Sequence, residues 1–173
     1  MRLLHNPPAR IGRRPQDPRP GAPLLLFLAL LLAPVVVVPA PAGAQHCEIS
    51  VGNLEFGSYS FFSPAAEEAA GRITVRCDAA AVPVEISLDA GAHGGGFAPR
   101  RMRQGARDDI LGYLIFTDSG MTTIWGDGTR GSVLVRKTVG QSAVEIPVYG
   151  RIPPGQDVSA GRFSDRVTVR VDW

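Results

Sequence analysis

Groups that do chemistry are scarce in this chain. The chain has two cysteines and three histidines among 173 residues, and two cysteines with no nearby set of histidines cannot make the four ligands a tetrahedral metal site needs, so no metal is expected. His93 opens "HGGG" (93–96), the shape of an esterase oxyanion loop. That loop works only beside a G-x-S-x-G nucleophile elbow between strand and helix. The nearest candidate, "GQSAV" (140–144), lacks the second glycine and leads into a strand. "GDGTRG" (126–131) fits G-x-G-x-x-G, but a dinucleotide site needs a helix immediately afterwards. The β-branched "SVLVRK" follows instead. No pair of carboxylates has the surroundings for acid–base work. The expectation is no catalytic residue, no cofactor and no enzyme.

A long apolar run is missing as well. The longest, Leu24–Val38 ("LLLFLALLLAPVVVV"), has fifteen residues. That is short of the ~20 needed to span a bilayer, and Pro34 interrupts it. Arginines at 2, 10, 13, 14 and 19 precede it. "PAPAGAQ" follows, with Ala42-Gly43-Ala44 fitting an A-x-A cleavage site. This is the pattern of a secretory signal peptide. It divides the chain into a leader, 1–44, and one exported domain, 45–173, with no membrane span after cleavage. Of the 18 basic residues five lie in the leader, and of the 16 acidic ones only Asp17 does. The domain therefore carries 13 against 15, a net of −2, where the whole chain carries +2. That balance argues against a nucleic-acid surface.

What the exported part does have is alternation. "CEISV" (47–51), "LEFGSYS" (54–60), "RITVRC" (72–77), "VPVEISLD" (82–89), "LGYLIFTD" (111–118), "SVLVRK" (132–137) and "AVEIPVYG" (143–150) read as strands. The chain closes on a further one, with Val167, Val169, Val171 and Trp173 on one side and Thr168, Arg170 and Asp172 on the other. Seven or eight short strands at this spacing indicate an all-β antiparallel sandwich. Pro83 and Pro147 remove ladder donors and belong at edges or strand starts. "PAAEEAAG" (64–71) is the one stretch with helical character, and the basic run Arg100, Arg101, Arg103, Arg107 reads as a solvated loop. Both cysteines, Cys47 and Cys77, fall on the apolar side of a strand. An even count in an exported chain implies a disulfide, stabilising by roughly 3 to 4 kcal/mol for a loop of about 31 residues.

Several pieces in order, Cys47, "FGSYS" (56–60), Cys77, "SLDAG" (87–91), "RRM" (100–102), "LGYLIFTD", "TTIWGDG" (122–128) and the tail from Tyr149 to Trp173, resemble the spore coat protein U domain family. That family includes the secreted pilins of archaic chaperone–usher systems. The resemblance implies an immunoglobulin-like sandwich that is incomplete, missing its seventh strand. A periplasmic chaperone lends a strand and a neighbouring pilin subunit replaces it at an outer-membrane usher, the finished subunit reaching the cell surface. Strand addition completes main-chain hydrogen bonds and fills apolar pockets. On this view Val167, Val169, Val171 and Trp173 border the acceptor groove.

A donor strand needs roughly ten alternating residues ahead of the first cysteine, since a strand of about 5–6 residues also needs slack to reach a neighbour. Only Gln45 and His46 follow the cleavage site before Cys47, so the subunit is expected to accept a strand without giving one, as a tip or terminator. The alternative is a non-fimbrial coat or binding module that completes its own sandwich. Candidate surface-contact loops are 91–102, with Arg100 and Arg101, and 119–128. Trp125 in the second is either an exposed anchor or, more ordinarily, a core side chain.

Overall fold

Strand β3, Val82–Leu88, shows how the alternation becomes structure: Val82, Val84, Ile86 and Leu88 are buried while Pro83 and Glu85 face water. The computed structural model describes residues 45–105 and 107–173; the leader lies outside the described residues. The other strands are β1 (Cys47–Val51), β2 (Glu67–Cys77), β4 (Arg100–Gln104), β5 (Ile110–Phe116), β6 (Val135–Val139), β7 (Val144–Ile152), β8 (Phe163–Ser164) and β9 (Val169–Asp172). Among the described residues there is no helix. Every ladder is antiparallel. A six-stranded sheet runs β1-β2-β7-β5-β4-β8 and a three-stranded sheet runs β6-β3-β9. The sandwich expected from the strand spacing therefore forms.

The inner rows of both sheets make the core: Ile73 and Val75 of β2, Val84 and Ile86 of β3, Leu111 and Ile115 of β5, Ile146 and Ile152 of β7. β5 is buried along most of its length because β4 and β7 flank it, as its doubly apolar sequence implied. Both prolines sit where only one side of their strand is paired. Pro83 faces Thr138 of β6 and lies beyond the β9 ladder; Pro147 faces Arg72 of β2 and lies beyond the β5 ladder.

Three local expectations are corrected. Residues 64–71 do not turn as a helix, because from Glu67 onward they pair with Ile152 to Val148 of β7, and Ala69 is buried there. The basic run is not a loop: Arg100–Arg103 pair with Tyr113–Ile110 of β5. "LEFGSYS" is not a strand. It crosses the inner face of the larger sheet, where Leu54, Phe56 and Tyr59 pack on the core. Phe56 meets Tyr113 edge-to-face at 5.9 Å, and the Tyr59 hydroxyl donates to the Gln156 carbonyl and accepts from its N–H. Six strands cannot be covered by three, and this crossing segment supplies part of the missing cover.

Candidate functional site

β1 and β9 are the places where alternation and burial disagree. β1 pairs with β2 in the register Cys47↔Cys77, Ile49↔Val75, Val51↔Ile73, so the three odd positions share the inward row. Their partners Val75 and Ile73 are sealed at 0% and 1% exposure, yet Ile49 and Val51 stand 38% and 52% exposed. The outward residues Glu48 and Ser50 are polar, so the strand has not turned over. Its inner row simply lacks a cover. β9 pairs with β3 alone, Val169↔Leu88 through Asp172↔Glu85, and its inward Val167, Val169 and Val171 are half-buried against the core. Among the described residues neither strand has a second partner. Unpaired N–H and C=O groups beside an apolar row form a template for another strand.

Two fastenings hold these edges in place. The Cys47–Cys77 disulfide ties β1 to β2 at one end of their ladder. Trp173, half exposed, donates its indole Nε1–H to the Gln45 carbonyl at 3.1 Å. The segment leading into β9 is fixed by a polar cluster. Asp165 accepts from the Tyr113 hydroxyl at 2.7 Å and from the Ala92 N–H at 2.9 Å. Asp89 accepts from the Thr168 and Gly91 N–H groups, and its own N–H donates to the Thr168 carbonyl.

Arg100 lies beneath this cluster, fully buried. It donates from Nε and Nη2 to the Asp89 carbonyl and from Nη2 to the Trp125 carbonyl, with the Phe97 ring 5.2 Å away. Its Nη1 is buried without a hydrogen-bond partner. Burial pulls its pKa below the usual arginine value, opposed by Tyr113, Asp89 and Asp165. Burial, and then the bond to Asp165, push the Tyr113 hydroxyl far above the usual tyrosine value. Burial pushes Asp89 up, but the bonds from Thr168 and Gly91 and the Arg100 charge outweigh it and hold its pKa down. These groups clamp backbone; none faces an open cleft.

The surface-contact expectation is therefore corrected for two of its three residues. Trp125 is fully buried, its indole Nε1–H donating to the Ile86 carbonyl at 3.1 Å, and Arg100 is enclosed beside it. The residue after Trp125 has to be glycine, because a Cβ at Gly126 would collide with Ser132 and Phe97. Arg101 alone is exposed. The apolar surface that sequence reasoning missed is Phe61 and Phe62, 43% and 90% exposed and stacked edge-to-face at 5.4 Å. "SYSFFSP" gave the signal, two aromatics between turn formers outside any alternation. They lie near the start of β2, away from its Cys77 end. Among the described residues no group of three or more His, Cys, Asp or Glu could hold a metal ion.

The geometry agrees with relatives. A chain of the CsuC–CsuE chaperone–tip adhesion subunit pre-assembly complex, from the archaic chaperone–usher Csu pili of Acinetobacter baumannii, shares the fold at a TM-score of 0.54 and 23% identity. The match covers 75% of this chain and 40% of that one, so the chain spans about two fifths of its neighbour's length. Protein U of Myxococcus xanthus is 32% identical over 135 residues, 70% of this chain and 72% of its own. The Spore Coat Protein U domain model matches residues 33–170, more than half the chain, and the protein belongs to that family.

Proposed function

We propose that this protein is a structural subunit of a surface pilus or coat, assembled by accepting a β-strand from another polypeptide. The observation that supports this most directly is the exposed inward row of β1, Ile49 and Val51 opposite fully sealed partners, together with the free edge of β9, whose Trp173 reaches Gln45 just ahead of β1. Residues 1–44 export the chain. A periplasmic chaperone fills the seam in transit, and an outer-membrane usher and other pilin subunits take over at the surface. Even cleavage after Ala40 would leave only "PAGAQH" ahead of Cys47, with no apolar alternation to lend to a neighbour, which supports a tip or terminating role. The exposed Phe61–Phe62 pair is the surface best suited to an adhesive contact, since large apolar groups stacked in water mark interaction sites.

The test is complementation. The exported domain expressed alone is expected to aggregate. Co-expressed with a chaperone-type donor, or refolded with an alternating apolar peptide, it is expected to form a soluble one-to-one complex. A stable, peptide-indifferent monomer would instead favour a coat component that completes its own sandwich. Polymerisation through its own N-terminal segment would overturn the tip assignment.

A further inference from the structure

Trp173 is an odd residue to leave half in water. It continues the inward row Val167, Val169, Val171, but at 51% exposure it gives up much of what burying an indole contributes. What it does have is one directed bond, from Nε1–H to the Gln45 carbonyl. Gln45 stands two places before Cys47, and Cys47 is fixed to Cys77 by the disulfide. β9 thus finishes where β1 begins, and the two free edges leave this contact in opposite chain directions. This end of the sandwich is tied elsewhere too. The Cys77 N–H donates to the Gly140 carbonyl and the Asp78 N–H to the His46 carbonyl, while the His46 N–H donates to the Asp78 carboxylate. The hollow beside the indole is floored by Pro83, Val84 and Lys137. At the other end, around Val51 and Val167, no hydrogen bond among the described residues joins β1 to the segment leading into β9.

We propose that Trp173 is a latch and end stop: it ties the free end of β9 to the start of β1, closes the seam there, and leaves it open at the Val51–Val167 end. The Gln45 carbonyl lies on the main chain just upstream of the β1 edge, among the acceptors an added strand would reach for next. While the indole holds that carbonyl, a strand enters from the open end and its register is set where it meets Trp173. The consequence for strand entry rests on the acceptor reading above; the latch itself is a property of the free fold.

Hydrogen–deuterium exchange on the exported domain, refolded and kept dilute enough to stay monomeric, separates the two. Trp173→Phe keeps a ring and removes the N–H; Trp173→Ala removes both. The β1 and β9 amides bonded to β2 and β3 are expected to exchange about three- to tenfold faster in the phenylalanine variant, the size of one net hydrogen bond. The alanine variant should exceed this, with β2–β7 amides unchanged in both. Equal exchange at β1 and β9 in wild type and Trp173→Phe overturns the latch. Should the alanine variant lose its fold, the phenylalanine variant decides alone. A peptide that binds while exchange ignores Trp173 sinks the latch and leaves the acceptor role standing. Latch-dependent exchange with no peptide bound supports the latch and sinks the acceptor role.

Discussion

The last eleven residues contain two different kinds of strand end. From Phe163 to Thr168 the chain passes from the larger sheet to the smaller one, and its polar groups meet fixed partners: Asp165 takes Tyr113 and Ala92, and Thr168 exchanges bonds with Asp89. From Val169 to Trp173 only one side is paired, and the inward valines are half-covered. The period of two is the same throughout. What differs is whether a neighbour is present, and this is what makes a strand structural at one end and available at the other. A clamped start also keeps the singly paired stretch in place.

The largest expected effect comes from breaking the clamp. Arg100→Ala leaves the part-buried Asp89 carbonyl and the buried Trp125 carbonyl without donors, at about 1–3 kcal/mol each, besides a cavity. A total of several kcal/mol would unfold a marginal domain. Urea denaturation checks it, and a stability within about 1 kcal/mol of wild type would show that the cluster is not the clamp described. The next effect sharpens the comparison across one register. Ile73→Ala and Val75→Ala should cost about 1.5–4 kcal/mol as sealed core truncations. Their partners Val51→Ala and Ile49→Ala should cost less, about 1 kcal/mol each in the free protein, because roughly half of their area is still in water. The same two changes should markedly weaken a bound donor peptide, measured by calorimetry, since that complex is where they become core.

Much of this was legible in the residues. β3, β5, β7 and the closing strand follow from alternation, and the disulfide from parity and compartment. What failed did so for a common reason: local pattern is overruled by what packs against it. "EEAA" has helical propensity, but residues 67–70 lie opposite Ile152–Tyr149 and are drawn into the ladder. Arg100 looks solvated among other arginines, yet its alternation with Met102 puts both on the buried row. Trp125 sits between turn signals, and only the distant Ile86 carbonyl explains its inward turn. For the seam, Ile49 and Val51 were legible as inward residues. Nothing in one sequence says that an inward row will go uncovered.

A subtler lesion addresses the clamp through its shape. Gly91 has φ +88°, and a Cβ there would collide with the Asp165 carboxylate. Gly91→Ala should therefore cost about 2 kcal/mol from left-handed strain and displacement of Asp165. Thermal melting reads the loss. Exchange at β9 should rise with it, because the start of the last stretch no longer holds.

The smallest effect is in pH, and Tyr113 provides it. Its hydroxyl donates to Asp165, and both burial and that bond raise its pKa above the usual tyrosine value. A tyrosine whose folded pKa is raised contributes stability fully present below its unfolded pKa and lost as pH rises above it, because the unfolded chain gives up the proton first. Stability should thus be level across neutral pH and decline above about pH 10. Tyr113→Phe should lower stability at neutral pH, where Asp165 loses a donor, and flatten that alkaline decline. Trp173→Phe, which acts at the free end, should leave the alkaline slope as it is. Urea midpoints at pH 7, 9 and 10.5 for the three proteins decide the matter. An unchanged slope in Tyr113→Phe would remove the tyrosine from the clamp, and a changed slope in Trp173→Phe would mean that the two ends are not independent.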